Sequence, residues 1–177
     1  MHNIIKTEYF KTPIGELILG SFNDKLCLCD WRYRKMRSSI DSRLTRGINA
    51  RYVEESSTLV NHTKAQLTQY FNGERHQFEI PILLIGTDFQ KEVWNALLEI
   101  PYGKTNTYLQ LAKDLNNENA IRAVATANGA NAISIIIPCH RIIGSNGDLV
   151  GYAGGLEAKM KLLKLEKALI GNQMSLF

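Results

Sequence analysis

Thr107-Tyr108-Leu109-Gln110-Leu111-Ala112-Lys113-Asp114-Leu115 reads as a short helix, and Ala120-Ile121-Arg122-Ala123-Val124-Ala125-Thr126-Ala127-Asn128 as a second. Only Asn116-Asn117-Glu118-Asn119, a polar break, stands between them. Two short helices joined so tightly have the form of a helix-turn-helix, and this decides the fold class of the C-terminal half. Upstream, Thr87 and Gln90 make a capping box. The helix it opens carries an apolar stripe of Phe89, Val93, Trp94, Leu97 and Leu98. Pro101-Tyr102-Gly103 is a turn. Downstream, short apolar strands and turns run from Ile133 to Tyr152, and a last helix covers about 155–169.

Before residue 81 the pattern differs. Residues 4–31 read as strands, broken by turns at Thr12-Pro13-Ile14-Gly15 and Asn23-Asp24. Residues 32–54 are polar and without period, and are expected to form a long loop. A helix follows over 57–71, with Leu59, Val60, Leu67, Tyr70 and Phe71 inward and Asn72-Gly73 ending it. Residues 76–80 are expected to be a further strand. The expected organisation is an α/β N-terminal domain over 1–80, a linker at 81–87 and a mainly α C-terminal domain with the helix-turn-helix over 88–177.

The 177 residues suffice for one ordinary domain or two small ones, and 45% hydrophobic with 21% charged residues is normal for a globular protein. The net charge of +4 permits an anionic partner without establishing one. Residues 1–86 hold 12 Lys/Arg against 9 Asp/Glu, and residues 87–177 hold 9 against 8, so the excess lies outside the helix-turn-helix half. Its densest part, Arg32 to Arg51, has seven basic residues against Asp41 alone. It reads first as a solvated loop and second as a contact to a DNA backbone. The apolar runs at 80–85 and 133–138 are too short to span a bilayer, and no membrane partner is expected. An odd count of three cysteines fits a reducing, cytoplasmic setting. Cys27 and Cys29 face one side of a strand, but with only His2, His62 and His76 spare they do not suggest a structural zinc site, and no metal is expected.

The chemistry concentrates in Ile135-Ile136-Ile137-Pro138-Cys139-His140-Arg141-Ile142-Ile143-Gly144. A thiol beside an imidazole, flanked by apolar strand-like runs, puts a nucleophile in a partly buried site, and Pro138 suggests a bend that lets both groups line one pocket. Alone the pair is a weak signal, because a lone buried cysteine is usually inert. The last helix adds weight. On a helical projection Glu166 falls among Leu162, Leu163, Leu169 and Ile170, in the middle of the apolar stripe. A carboxylate there needs a partner. Lys159, two turns back, and a histidine across the core are equal candidates; the second gives the nucleophile–histidine–carboxylate arrangement.

The stretch from Asn131 through Pro138-Cys139-His140-Arg141 to Gly144, with Gly151-Tyr152-Ala153-Gly154-Gly155-Leu156 after it, resembles the O6-alkylguanine-DNA alkyltransferases. The resemblance runs from about Asp88 to Glu166; residues 1–80 match only in general plan, a small sheet-and-helix domain resembling the ribonuclease H fold. It implies DNA repair by irreversible transfer of an alkyl group from guanine O6 to Cys139, with O4-alkylthymine as a second candidate lesion. It implies that His140 takes the thiol proton through a water, that Glu166 orients His140, and that Asn131 is the hinge between recognition helix and active-site loop. Tyr108 would help to flip the nucleotide and protonate the departing guanine. Arg122 would fill the gap in the duplex, as the second helix lies in the minor groove with Ala123, Thr126, Ala127 and Asn128 at the DNA. Val150, Gly151, Tyr152, Ala153 and Gly154 would wall the base pocket. It also implies a monomer acting on double-stranded DNA with no cofactor. Ala132 stands where the family commonly carries proline. The competing readings are a lesion-binding protein without chemistry and a cysteine hydrolase built on Cys139, His140 and Glu166.

Overall fold

The structure is a computed structural model and describes residues 3–169. Strands β1 (Asn3–Thr12), β2 (Gly15–Phe22) and β3 (Lys25–Trp31) form an antiparallel meander, and β4 (Ala50–Glu54) adds to the free edge of β1 in parallel, giving the order β3-β2-β1-β4. A parallel neighbour requires a crossover, because the chain must return to the same end of the sheet. That crossover is helix α1 (Arg37–Gly47). Residues 32–54 are therefore not the expected loop. The helix escapes a periodicity search because Ile40 and Leu44 are its only buried residues and its N-cap, Met36, makes no side-chain cap bond. Strand β4 is a short edge strand with no fully buried residue. Helix α2 (Thr58–Phe71) then packs on the sheet, its Ser57 cap accepting from the Val60 amide. Residues 76–80 form no strand; Gln66 on α2 satisfies the backbone of Glu79 instead.

The C-terminal half is mainly helical. Helix α3 (Asp88–Leu98) opens with the expected capping box of Thr87 and Gln90. Val93, Trp94 and Leu97 are buried, whereas Leu98 is exposed and leaves the apolar stripe. Helices α4 (Tyr108–Asp114) and α5 (Ile121–Gly129) form the helix-turn-helix. The two-residue strand β5 (Asn106–Thr107) pairs in parallel with β6 (Ile142–Ile143), tying the start of α4 to the chain just after Cys139-His140-Arg141. Helix α6 (Leu156–Leu165) ends earlier than expected, stopped by Lys167 just past the cap, whose φ of 55° is left-handed. Glu166 is thus the C-cap rather than a mid-helix residue, though still buried. Ile170 lies outside the described residues.

The two halves share one core. Residues 132–134 extend the sheet beyond β3: the Cys29 amide donates to the Ala132 carbonyl at 2.9 Å and the Ser134 amide to the Cys29 carbonyl at 2.6 Å. Ala132 enters this pairing through its carbonyl, which a proline at that position would also offer. Trp31 packs against Gly154, where a Cβ would come within 2.5 Å of the indole, so glycine is required for this approach.

Candidate active site

Cys139 sits at the head of a single 3-10 turn, Cys139–Arg141, entered through Pro138. The turn swings Cys139 and His140 into different compartments. Cys139 lines a cavity of about 610 Å³ together with Tyr108, Asn128, Asn131, Gly151, Tyr152, Ala153 and Gly154. The thiol is almost wholly buried, so a reagent can reach it only through this cavity. Ile135, two residues past Ile133 in the approach to Pro138, has φ of 73°, a strained conformation for a β-branched residue and one that clusters at functional loops.

His140 lies behind the cavity, fully buried, with Nε2 2.8 Å from Glu166 Oε1. Its Nδ1 has no partner among the described residues, which leaves that nitrogen for proton exchange. The Glu166 carboxylate also accepts from Arg141, through Nε at 2.8 Å and Nη2 at 3.0 Å, and from the Tyr70 hydroxyl at 2.6 Å. Lys159 is not its partner. The Lys159 ammonium instead donates to the carbonyls of Ile142, Val150 and Gly151, stitching β6 to the far wall of the cavity.

Burial dominates the titration of Cys139 and His140. It pushes the Cys139 thiol up, against a 3.2 Å hydrogen bond from Asn131 Nδ2 and the charge of Lys159. It pushes His140 down, against the Glu166 hydrogen bond. The resting pair is therefore a neutral thiol and a neutral imidazole. Burial also raises Glu166, but the hydrogen bonds and charges of His140 and Arg141 outweigh it and hold the carboxyl well below its usual range. Lys159 is lowered by burial to about 8, with Cys139 opposing.

Asn131 makes a compact hub. Its side chain accepts from the Ile133 amide and donates to the Ile137 carbonyl and the Cys139 sulfur, closing the loop that carries the thiol. Tyr108 is half-buried at the cavity, its hydroxyl raised by burial and by Cys139 and lowered by a bond from Asn128. Val150 does not line the cavity; it is exposed and contributes only its carbonyl. On α5, Arg122, Ala123 and Thr126 form an exposed face. Ala127 cannot lie at that face: it is in the core, and its carbonyl accepts from Trp94 Nε1. Asn128 is likewise turned inward, to the cavity.

The basic stretch is not a solvated loop. Arg34 forks between the buried Asp30 and the carbonyls of Gly129 and Asn131, and Arg43 reaches the carbonyl of Ala130. These arginines serve the carbonyls left open at the C-terminus of α5. Sequence reading did not find Arg141, Tyr70 or Asp30. The available signal was a buried tyrosine, which needs a hydroxyl partner, and a strand carboxylate just ahead of a basic run. Among the described residues no three His, Cys, Asp or Glu side chains converge as metal ligands, and no helix is long and apolar enough to cross a membrane. His2 lies outside them.

Two family models match the chain: the 6-O-methylguanine DNA methyltransferase ribonuclease-like domain over residues 5–84, and the DNA binding domain of the same family over residues 88–168. A methylated-DNA–protein-cysteine methyltransferase of Methanosarcina acetivorans is 43% identical, covering 89% of this chain and 95% of its own. An inducible one from Bacillus subtilis is 54% identical over 86% of this chain and 79% of its own. Among solved structures, a Mycobacterium tuberculosis protein crystallised in complex with DNA is 38% identical, with a TM-score of 0.79 and 93% of each chain covered. With both halves matched in order and the Cys139 site at the junction between them, the chain belongs to the 6-O-methylguanine DNA methyltransferase family.

Proposed function

We propose that this protein repairs double-stranded DNA by moving an alkyl group from guanine O6 onto Cys139, once per molecule, as a monomer in the cytoplasm. The observation that carries the reading is the buried thiol at the floor of a base-sized cavity, backed by His140 and Glu166 and opening beside the helix-turn-helix. A guanine O6 substituent is inside the duplex, so the nucleotide must be flipped to reach a thiol this deep. Helix α5 supplies the DNA face, with Arg122 filling the gap in the stack, Ala123 and Thr126 close to the backbone, and the minor groove as the site of entry. The minor groove carries a poor sequence code, which suits a protein that must find damage anywhere.

With the base in the cavity, the thiol proton passes through a bridging water to His140 Nδ1, and Glu166 supports the imidazolium that forms. The sulfur attacks the alkyl carbon, the C–O6 bond breaks, and its electron pair stays on the guanine. Tyr108 supplies a proton to that guanine and recovers one from the His140 side, so the thiol proton ends on the base and the alkyl group on sulfur. A thioether has no leaving chemistry here, and no cofactor is needed.

The test uses duplex DNA whose O6-methylguanine is labelled on the methyl carbon. Label moving to the protein supports transfer. Binding without label on the protein points to a lesion binder, and label released with repeated turnover points to a hydrolase.

A further inference from the structure

Tyr70 belongs to the N-terminal half, ninety-six residues from Glu166 in sequence, and its hydroxyl lies 2.6 Å from Glu166 Oε1. The same oxygen accepts from His140 Nε2 at 2.8 Å and from Arg141 Nη2 at 3.0 Å. The other oxygen takes Arg141 Nε and, at 3.4 Å, the Gly103 amide. Three donors therefore share one carboxylate oxygen that has two lone pairs. Tyr70 and His140 compete for its charge.

Building on the alkyl-transfer reading above, we propose that Tyr70 is a positioning residue for the reaction: by sharing Glu166 Oε1 it sets how strongly the carboxylate supports a protonated His140. The N-terminal half thus takes part in the chemistry through α2. The donor is well fixed. Tyr70 is fully buried, packed edge-on to Phe71 and Tyr102 and tilted against Phe78, so its hydroxyl has little freedom to leave Oε1. Burial, then the charge of Glu166, hold the phenol protonated, so it stays a donor at every working pH. The other groups facing this cluster are Tyr102 from the loop after α3, Arg141 and Cys139 from the 3-10 turn, Lys159 from α6, and the Tyr152 ring 6.3 Å from His140. Tyr102 and Lys159 are both committed elsewhere, Tyr102 to the Leu165 carbonyl and Lys159 to three others, and Arg141 is already on the carboxylate in both states.

The sign follows from the competition. A hydroxyl donating to Oε1 draws charge away from His140. Removing it strengthens the Glu166–His140 bond, favours imidazolium and raises the His140 midpoint.

Tyr70→Phe keeps the ring and deletes only the donor. Two curves are measured on the full chain: the His140 ring resonances against pH, and the rate of Cys139 alkylation by free O6-benzylguanine against pH. Tyr70→Phe should move the His140 midpoint and the acid limb of the rate profile to higher pH together, by about half a unit or more. Tyr102→Phe, which loses a hydroxyl in the same cluster that does not touch the carboxylate, should lower the melting temperature and leave both midpoints in place. A Tyr70→Phe protein with unmoved or lowered midpoints, or a Tyr102→Phe protein shifted equally, overturns the proposal. Wild-type protein that fails to react at Cys139 with either the free base or alkylated DNA would instead overturn the transfer reading.

Discussion

Asp30 and Glu166 are both fully buried carboxylates, both bound to arginine, and both joined to the opposite half of the molecule, yet their titrations move in opposite directions. Asp30 meets Arg34, Arg37, the Ser134 hydroxyl and the Trp31 amide, and burial still pushes its carboxyl up. At Glu166 burial loses to His140 and Arg141, and the carboxyl is held low. Their different partners fit different tasks. Asp30 orients Arg34, whose fork holds the end of α5 and the Asn131 carbonyl, and it anchors Ser134 on the loop beyond. In the proposed transfer Glu166 faces a group that changes charge, and its surplus of donors keeps the carboxylate ionised while it does. On that proposal one buried carboxylate is a brace, the other an electrostatic support.

The comparison can be broken by substitution. Cys139→Ser marks the upper limit: it should abolish transfer while leaving binding to alkylated duplex intact in a gel-shift measurement. Glu166→Gln should slow single-turnover transfer at least tenfold, about 1.4 kcal/mol of barrier. Asp30→Ala, which removes the acceptor of Arg34 and Arg37, should cost on the order of 3 kcal/mol of stability, with a much smaller change in the transfer rate of the folded protein. Equal rate losses in the two variants would erase the distinction. Arg122→Ala should slow repair of duplex on the order of tenfold while sparing the reaction with free alkylated base, because the side chain matters only when a base leaves a stack.

The smallest effect is in the pH dependence of stability. Glu166 sits below its ordinary value, so its contribution is present above the unfolded carboxylate pKa and is lost as pH falls below about 5. Asp30 sits above its ordinary value, so its contribution is fully present below about pH 4 and is lost as pH rises through the folded value. In melting curves taken from neutral to acid, Asp30→Asn should steepen the loss of Tm in the upper part of the range. Glu166→Gln should flatten it in the lower part. The same slope in both variants would contradict the opposite shifts.

These two clusters also mark what a sequence can disclose. The capping box at Thr87 and the paired short helices were legible because they are local and periodic. Cys139-His140 was legible through its resemblance, and Glu166 through a charge in an apolar stripe, although its partner stayed open between Lys159 and histidine. Helix α1 was hidden because only two of its eleven residues are apolar, and polar side chains make up its half-buried flank. The Arg34 and Tyr70 bonds span ninety-five or more residues, and no local pattern encodes such a pairing. A buried side chain announces that it needs a partner, but the fold chooses which one.

The central claim is that Cys139 accepts one alkyl group and is never regenerated. The direct measurement is the mass of the protein, with peptide mapping, after incubation with a large excess of duplex containing O6-methylguanine. The account predicts a single added methyl group, on the peptide containing Cys139 and on neither Cys27 nor Cys29, with lesion removal stopping at one equivalent of protein. Continued removal by an unmodified protein, or methyl groups found on Cys27 or Cys29, would contradict it.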